Sequence, residues 1–440
     1  MPDGVLSEPG TTSAKRIGGA SGTLDSDQVQ AFVAEQLAGT ELDGKSLCVV
    51  VPDGTRSCPL PLLLDAVHGA VHGRVTDLTV LVALGTHAAM DETQLADHLG
   101  YQRGGLAERF PGTTVRNHEW WDPATLVSVG TINAERVGEL SEGRLRRDID
   151  VRLNRAVVDH DVTLIVGPVF PHEVVGFSGG NKYLFPGVAA QDIINLSHWL
   201  GALITSVDLI GTLGTTPVRG LIDEAAALVP SHVLAFCLVV AAGTDGLHSI
   251  SYGQPQAAWK AAAEVSAEAH IRYLDEPVRR VVSVMPTKYQ DMWTGAKGFY
   301  KVEPVVADGG QVIVYAPHIR KLSMMHPEIA TIGYHNRDYF VKQWDRFSHL
   351  PWGDLAHSTH LRGAGTYDPT TGETNRVTVT LATSIPEEVV RRANLDYLDP
   401  AEVDLDALAA DPDTLVVPEA GEVLYRLRPG ATGAVSAGET

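Results

Sequence analysis

Three short apolar runs, each ending in a polar turn, constrain the fold of this 440-residue chain more than any other feature. They occupy residues 45–51, 78–84 and 162–166. Their apolar residues are almost uninterrupted, which is typical of strands covered on both faces in a parallel sheet. A helical pattern at 60–71 separates the first two runs. Strand, helix and strand in this order indicate an α/β fold with a largely parallel sheet.

The turn after each run carries side chains that are capable of chemistry. Asp53 and Arg56 follow the first run, His87 follows the second, and a stretch from Pro171 to Lys182 follows the third. The carboxyl ends of parallel strands open into a common crevice at one edge of the sheet. We therefore expect the three turns to converge on one site.

The strand pattern starts again after residue 279 and indicates a second domain. Apolar runs at 281–285 and 311–315 follow a helical pattern at 255–270, and a chain of this length exceeds what one core usually serves. We predict a disordered arm at 1–23, an N-terminal domain at 24–277 and a second domain at 278–413. A final strand and tail at 414–440 could pack on either domain. Each domain is expected to contain a largely parallel sheet flanked by helices, with the active site in the cleft between them.

Composition limits the possible partners and the compartment. The chain has 34 Lys and Arg against 54 Asp and Glu, a net charge of −20. This charge repels nucleic acid and anionic membrane surfaces, so neither is expected as a partner, although a local cationic cluster could bind a small anion. Three cysteines cannot all pair, and residues 1–22 lack the apolar core of a signal peptide. We expect reduced thiols and a cytoplasmic protein.

The third turn brings two imidazoles and an amine into one segment. His172 lies ten residues before Lys182, and His198 lies sixteen residues after it. In a chain with 17 histidines, each of these residues taken alone is more often an ordinary core or surface residue. Their position directly after a buried strand favours a role in acid-base chemistry or ligand binding.

A glycine-containing loop lies within the same turn. Ser178, Gly179 and Gly180 could present backbone amides to an anion. The segment superficially resembles a phosphate-binding P-loop, but Asn181 separates the glycines from the lysine, and Tyr183 stands where Ser or Thr would bind magnesium. A P-loop is therefore rejected.

Other candidate residues have simpler explanations that stay open. Asp53 and Arg56 could form an ordinary β-turn, or Arg56 could present its planar fork to a carboxylate or phosphate. His87 could start a helix capped by Asp91, and Lys297 could be a solvated helix residue. The later histidines show no spacing typical of a metal site: His318, His326, His335, His349, His357 and His360.

Taken together, these segments resemble the nickel-dependent lactate racemase family. The resemblance consists of the motifs at 53–56, 85–87 and 171–182, followed by His198 and by Lys297 in the second domain. It covers residues 49–417. It implies a nickel-pincer nucleotide cofactor, a pyridinium-3-thioamide-5-thiocarboxylate mononucleotide that holds nickel and is tethered covalently through Lys182. It also implies that His198 is the remaining ligand of the metal.

The resemblance further implies roles for the other site residues. His87 and His172 correspond to the acid and base on opposite faces of the substrate. Arg56 and Lys297 correspond to residues that bind the substrate carboxylate. The positions matching the cofactor site are Asp53, Thr55, Ser178, Gly179 and Gly180. The N-terminal domain is thus predicted to bind the cofactor, and the second domain to close over the substrate.

The implied function is a racemase or epimerase that inverts the C2 centre of a 2-hydroxy acid by proton-coupled hydride transfer to the cofactor. Proteins that synthesise the cofactor would be needed for activation. Thr294 stands where the lactate enzymes carry Gln, so we expect the substrate-binding residues to include Thr294 and the substrate to be a 2-hydroxy acid other than lactate. Two alternatives remain: a zinc metallohydrolase or lyase that uses the same histidines, and a non-catalytic protein that binds an anionic metabolite.

Overall fold

The computed structural model describes residues 13–430. In chain order its strands are β1 (Lys15–Gly18), β2 (Ser46–Pro52), β3 (Asp77–Ala83), β4 (Thr113–Asn117), β5 (Leu126–Ile132), β6 (Ile149–Asn154), β7 (Val162–Pro168), β8 (Pro171–His172), β9 (Gly176–Phe177), β10 (His232–Val240), β11 (Leu247–Gly253), β12 (Ile271–Leu274), β13 (Val278–Val284), β14 (Val306–Ala316), β15 (Gly365–Asp368), β16 (Gly372–Asn375), β17 (Thr378–Thr383), β18 (Asp396–Tyr397), β19 (Thr414–Val417) and β20 (Leu424–Leu427).

The helices alternate with these strands over most of the chain. They are α1 (Ser26–Ala38), α2 (Leu60–Val71), α3 (Glu92–Leu99), α4 (Leu106–Arg109), α5 (Ala134–Leu140), α6 (Arg155–Asp159), α7 (Gln191–Ile204), α8 (Ser206–Leu209), α9 (Pro217–Ala226), α10 (Pro255–His270), α11 (Met292–Gly295), α12 (Lys297–Tyr300), α13 (Ile329–Ile332), α14 (Arg337–Val341), α15 (Trp344–Phe347), α16 (Trp352–His360), α17 (Glu387–Arg392) and α18 (Leu405–Ala410). None of the helices between residues 13 and 430 combines the length and the apolar character that crossing a membrane would require.

The first sheet brings the three polar turns together. Within residues 13–430 it has seven strands in the order β1-β11-β10-β7-β2-β3-β4. The strands from β10 to β4 are parallel, and β2 pairs with both β7 and β3. The turns that follow β2, β3 and β7 therefore lie side by side at the carboxyl edge of the sheet. The predicted convergence and the predicted α/β fold with largely parallel sheets are confirmed.

The second sheet begins at Val278, next to the predicted domain boundary. It has the order β18-β17-β14-β13-β19, and every pairing in it is parallel. The final segment of the chain divides between the two halves of the protein: β19 pairs with β13 in the second sheet, whereas β20 pairs with β12 in the segment before it. The division into domains stays a prediction, because buried side chains of both sheets, among them Val50, Ile165, Val281 and Val314, belong to one continuous apolar cluster.

The predicted disordered arm at 1–23 needs correction over part of its length. Residues 15–18 form β1, which pairs with β11 in antiparallel register at the edge of the first sheet. An edge strand is held by main-chain hydrogen bonds on one side and needs no apolar run, so composition did not indicate it. The first twelve residues of the predicted arm lie outside the described part of the chain.

A buried histidine ties the segment that follows the third turn to the first half of the protein. His118 is fully buried, its Nε2 donates to the carbonyl of Ala189, and its Nδ1 accepts from the side chain of Asn154, with a separation of 3.0 Å in each case. Burial lowers the pKa of His118 to about 4, although the contact with Ala189 opposes this shift. The imidazole is therefore neutral at neutral pH.

This histidine should make the protein less stable as the pH falls from about 6.5 to about 4. In this window the unfolded chain binds a proton at His118 that the folded protein excludes, which costs on the order of 3 kcal/mol in the free energy of unfolding at the lower end. Urea unfolding of His118→Gln at pH 7 and pH 5 should show a smaller loss than the unchanged protein. The control His232→Gln alters an exposed imidazole, and an equal pH dependence in all three proteins would contradict the prediction.

Candidate active site

One cavity, with a volume of about 1300 Å³ including its open mouth, lies at the carboxyl edge of the first sheet. Its walls come from the three polar turns, from α7, and from α11, α12 and α16 in the second half of the chain. All but one of the predicted site residues line it: Asp53, Thr55, Arg56, His87, His172, Ser178, Gly179, Lys182, His198, Thr294 and Lys297. Gly180 is buried beside the cavity and does not line it.

Asp53 and His87 form a hydrogen-bonded pair that links the first two turns. Asp53 Oδ2 lies 2.5 Å from Nδ1 of His87, and Oδ1 accepts from the amide and the hydroxyl of Thr55. Burial alone would raise the pKa of Asp53, but its contacts with His87 and Thr55 and the charge of Arg56 hold the pKa below its usual range. Asp53 is thus a carboxylate that accepts from Nδ1 of His87. In the neutral form of this imidazole, Nε2 carries the lone pair.

Arg56 is the fixed cation of the site. Burial alone would lower its pKa, but the carboxylate of Asp53 and other nearby groups raise it. Its guanidinium forms no hydrogen bond or ion pair with any other residue in the 13–430 range. The fork remains available to an anion in the cavity.

His172 lies in a tight hairpin with the opposite arrangement of hydrogen bonds. The hairpin joins β8 and β9, where His172 pairs with Gly176. The φ angle of Gly176 is +85°, and a Cβ there would lie 2.6 Å from the carbonyl oxygen of Thr212, so the turn requires glycine. The amide of Val174 donates to Nδ1 of His172 at 3.1 Å. Its Nε2 therefore carries the ring hydrogen.

The electrostatic surroundings keep His172 neutral. Burial lowers its pKa well below the usual value, and the positive charges of Lys182 and Arg56 lower it further. The carboxylate of Glu173 lies 3.1 Å from its Nδ1. Burial alone would raise the pKa of the Glu173 carboxyl, but the neighbouring His360 and Lys182 lower it below its ordinary value. The two imidazoles of the cavity thus differ at Nδ1: His87 donates from this atom to Asp53, and His172 accepts at it from the amide of Val174.

Most polar groups of the predicted phosphate-binding loop, residues 178–180, form hydrogen bonds within the protein. The amide of Ser178 donates to the carbonyl of Phe170, and the Ser178 hydroxyl accepts from the Phe170 amide. The amide of Gly180 contacts the Cys237 sulfur. The fully buried Arg219 donates to the carbonyl of Gly179 at 3.1 Å. The geometry therefore supports no phosphate contact from Ser178 or Gly180, because their polar groups already have partners.

Lys182 is a buried amine on a short 3₁₀ turn, Gly180–Tyr183. Burial lowers its pKa to about 7, and the positive charge of Arg56 contributes to the shift. Near neutral pH a large fraction of this lysine is the uncharged amine, which is the nucleophilic form. A covalent bond between Lys182 and an acyl group of a cofactor is chemically reasonable at this position.

His198 has the hydrogen-bonding pattern of a metal ligand. It lies on α7, one turn after Ile194, and its Nδ1 donates to the Ile194 carbonyl at 2.8 Å. This contact fixes the tautomer and leaves the lone pair on Nε2. Burial lowers the pKa of His198 to about 4, with the charge of Lys182 acting in the same direction. The neutral imidazole suits nickel or another transition metal.

The second half of the chain contributes Lys297 and Thr294. The amine of Lys297 lies 4.9 Å above the ring of Tyr289, and burial together with the charge of Arg56 lowers its pKa well below the usual value. The hydroxyl of Thr294 donates to Asp291 Oδ1 at 2.8 Å. Thr294 lines the cavity as predicted, but a hydroxyl already paired with Asp291 is a poor donor to a substrate.

Several further residues line the cavity beside the predicted site residues. They are the acidic residues Glu173 and Asp354, the aromatic residues Tyr183, Trp293 and Tyr300, and the histidines His326, His357 and His360. Asp354, His357 and His360 recur every three residues on α16, a spacing that places side chains on one helix face. This spacing was the only feature of the α16 sequence that could have indicated a place in the site.

The ligand geometry bears on the zinc alternative. Among residues 13–430, no three side chains of His, Cys, Asp or Glu are arranged to hold a metal ion. A zinc site built from His87, His172 and His198 therefore has no support. The imidazole of His198 and the amine of Lys182 fit a cofactor that itself supplies most of the ligands of the metal. The three cysteines are free thiols, as predicted.

Fold and site together define an α/β protein with a cationic, histidine-lined cavity at the carboxyl ends of parallel strands. The model of the lactate racemase N-terminal domain matches residues 30–207. The lactate racemase of Thermoanaerobacterium thermosaccharolyticum is 25% identical over 279 residues, which cover 62% of this chain and 60% of that enzyme. Residues 30–207 therefore carry the N-terminal domain of the lactate racemase family.

Two solved structures share the fold. A crystal structure of a protein from Thermotoga maritima superposes with a TM-score of 0.84 and 31% identity, covering 94% of this chain and all of that one. The lactate racemase apoprotein from Thermoanaerobacterium thermosaccharolyticum superposes with a TM-score of 0.69 and 18% identity, covering 92% of this chain and 93% of the other. The second likeness is evidence for the fold alone.

Proposed function

We propose that this protein is a racemase or epimerase that inverts the C2 centre of a 2-hydroxy acid and carries a nickel-pincer nucleotide. The observation that supports this most is the pair of imidazoles, His87 and His172, which line one cavity and differ in their hydrogen bonds at Nδ1. A reversible inversion needs a proton acceptor and a proton donor at the substrate oxygen. The family and the cation Arg56 in the same cavity agree with an anionic substrate.

Each polar group has a role that follows from its contacts. Arg56 binds the substrate carboxylate through its free fork. The Nε2 lone pair of His87 accepts the hydroxyl proton, and the carboxylate of Asp53 stabilises the imidazolium that results. His172 presents its Nε2 hydrogen to the substrate oxygen, which favours a carbonyl there. When bound, the nickel-pincer nucleotide would accept the C2 hydrogen as hydride and return it.

The residues that would hold the cofactor are Lys182, through its uncharged amine, and His198, through its Nε2 lone pair. Ser178 and Gly180 have a structural role in this proposal, because their polar groups are already paired. Activation of the protein would require the proteins that synthesise the cofactor. The proposed compartment is the cytoplasm, where thiols stay reduced.

The function is tested with protein co-expressed with the cofactor-making enzymes. Single enantiomers of a series of 2-hydroxy acids are incubated with the loaded protein, and the products are separated by chiral chromatography. Formation of the opposite C2 configuration is the expected result. Tight binding of these acids by fully loaded protein with no inversion would indicate a non-catalytic binding protein. Faster inversion of lactate than of larger acids would contradict the proposed substrate class.

Binding of the substrate should be accompanied by proton uptake. Burial and the charge of Arg56 lower the pKa of Lys297 well below its usual value in the free protein. A bound carboxylate raises the pKa of a nearby amine, so proton uptake is expected at a pH between the lowered pKa of Lys297 in the free protein and its raised pKa in the complex. Calorimetric titrations in two buffers with different ionisation heats measure this uptake. Lys297→Met should abolish the difference between the buffers, and equal heats in both buffers for the unchanged protein would refute the assignment.

A further inference from the structure

Lys301 is a buried lysine that the proposed reaction does not use. It directly follows α12, and 3% of its surface is exposed. It does not line the active-site cavity, but it lines a smaller cavity beside it, together with Arg56, His172 and Lys297. A lysine is rarely buried to this extent unless its amine has partners, so the contacts of this amine indicate its role.

The partners of the Lys301 amine are main-chain carbonyls. Its Nζ donates to the carbonyl of Pro171 at 2.5 Å and to the carbonyl of Glu422 at 3.3 Å. Among residues 13–430, the lysines that form ion pairs are others. Burial lowers the pKa of Lys301 to about 7. Because the uncharged amine carries two hydrogens and the ammonium three, either form can donate to both carbonyls.

The shorter of the two contacts falls on the peptide unit that leads into His172. The carbonyl of Pro171 and the amide of His172 belong to this unit, which is planar and also contains the Cα of His172. A donor that holds the carbonyl therefore holds the plane from which the side chain starts. This limits the directions in which the imidazole can point.

The hairpin that contains His172 needs support from outside, because β8 and β9 have two residues each. On β9, the carbonyl of Phe177 accepts from the guanidinium of Arg219 at 2.5 Å, a contact within the first half of the chain. On β8, the carbonyl of Pro171 accepts from Lys301. The strand that carries the acid-base imidazole thus takes this support from the second half of the chain.

Lys301 also joins the hairpin to the residue proposed to bind the substrate carboxylate. It keeps helical dihedral angles, φ −77° and ψ −16°, at the end of α12, which begins with Lys297. Residues four apart on a helix lie on the same face. The main-chain carbonyl of Lys301 accepts from the amide of Tyr425 at 2.8 Å, which holds this end of the helix. One side chain therefore links the position of His172 to that of Lys297.

The second carbonyl that Lys301 binds leads to the first polar turn. It belongs to Glu422, between β19 and β20, whose carboxylate accepts from the hydroxyl of Ser57 at 2.9 Å. Ser57 directly follows Arg56 in the chain. The segments that carry the proposed substrate-binding residues thus meet around this one amine.

We propose that Lys301 is a positioning residue of the inversion reaction, which holds His172 at the substrate oxygen by fixing the carbonyl of Pro171. The role of His172 rests on the proposed function, whereas the contact of Lys301 with Pro171 does not. Misplacing a catalytic group by about 1 Å can lower a rate roughly 10²-fold. Because Arg56 and Lys297 would still bind the carboxylate, the loss should appear in kcat rather than in KM.

Hydrogen exchange in the full-length, cofactor-loaded protein tests the contact. Lys301→Met keeps an unbranched side chain and removes the amine. Mass spectrometry of fragments covering residues 172–177 should show exchange roughly tenfold faster than in the unchanged protein, because the hairpin loses one support. Fragments from β7 should exchange at the unchanged rate, which verifies that the variant is folded.

A second variant and a control complete this experiment. Lys301→Gln, whose amide ends one bond short of the lysine amine, should show the same faster exchange if the methionine variant does not fold. Lys260→Met, at an exposed position on α10, is the matched control and should leave the hairpin unchanged. Equal exchange at residues 172–177 in the folded Lys301 variants and the unchanged protein would overturn the proposal.

Kinetics of the loaded protein test the role in inversion. Lys301→Met should lower kcat about 10²-fold, change KM less than about threefold and leave the adduct on Lys182 intact. In a His172→Ala background, the same substitution should lower the rate less than about threefold, because no imidazole is left to position. A reduction of the full size in both backgrounds would show a general structural role and overturn the proposal.

The two measurements separate this proposal from the proposed function. Faster exchange at the hairpin of Lys301→Met, in a loaded protein that inverts no 2-hydroxy acid, would support the hold on His172 and contradict the racemase. Inversion at the full rate by Lys301→Met would support the racemase and contradict the positioning role.

Discussion

Lys182→Ala is expected to abolish both covalent loading with the cofactor and inversion of the substrate. Intact-mass measurement of co-expressed protein should show an adduct on the unchanged chain and none on the variant. Loss of the tether should lower the inversion rate at least about 10⁴-fold. The physical reason is the burial of this amine, which lowers its pKa to about 7 and makes it the nucleophilic lysine of the cavity.

The control for this experiment is Lys260→Ala, which removes an exposed lysine on α10. It should retain the adduct and the full rate. Lys182→Arg adds a second test, because it keeps a cation in the cavity but cannot form the same acyl linkage at neutral pH. An adduct that persists in Lys182→Ala, or a variant without an adduct that still inverts the substrate at the full rate, would refute the tether.

Removal of either imidazole that flanks the substrate should have the second largest effect. His87→Ala and His172→Ala should each lower the inversion rate about 10²- to 10⁴-fold, which is the usual contribution of a positioned acid or base. Cofactor loading should be unaffected in both variants, because neither imidazole holds the cofactor in the proposed arrangement. Chiral assays and intact mass on the same samples measure the two effects separately.

Asp53→Asn tests the tautomer of His87 without removing the imidazole. The amide can donate to Nδ1 as well as accept from it, so Nε2 of His87 is no longer confined to the acceptor form. The rate should fall by roughly 10²-fold or more, with little change in the affinity for substrate. His232→Ala, at an exposed position on β10, is the control. Full activity of Asp53→Asn would show that the pair with His87 is structural.

Much of the site could be predicted because its parts are local in sequence. Residues 46–52 and 162–168 are mostly apolar, and a group of polar residues follows where each strand ends. The same locality made the Asp91 cap of α3 predictable, since a capping box spans four residues. Parallel pairing then brings the turns together with no further information.

Hydrogen-bond partners that are distant in sequence could not be predicted in this way. The carbonyl of Gly179 accepts from Arg219, 40 residues later, and the amide of Gly180 contacts the sulfur of Cys237, 57 residues later. The return of β20 to β12 likewise joins residues more than 150 positions apart. Neither periodicity nor composition carries information about such pairs.

The sequence by itself determined the α/β fold, the three strand-end turns and the convergence of Arg56, His87, His172 and Lys182, because strand periodicity and turn chemistry act over a few residues. Only the tertiary structure decided the hydrogen bonds at Nδ1 of His87 and His172 and the composition of the opposite wall. His326 and α16 come together with Trp293 through the packing of the second half of the chain, and burial then leaves the Nε2 atoms of these histidines without partners within residues 13–430. Burial and pairing are properties of the folded molecule, so these features appear only there.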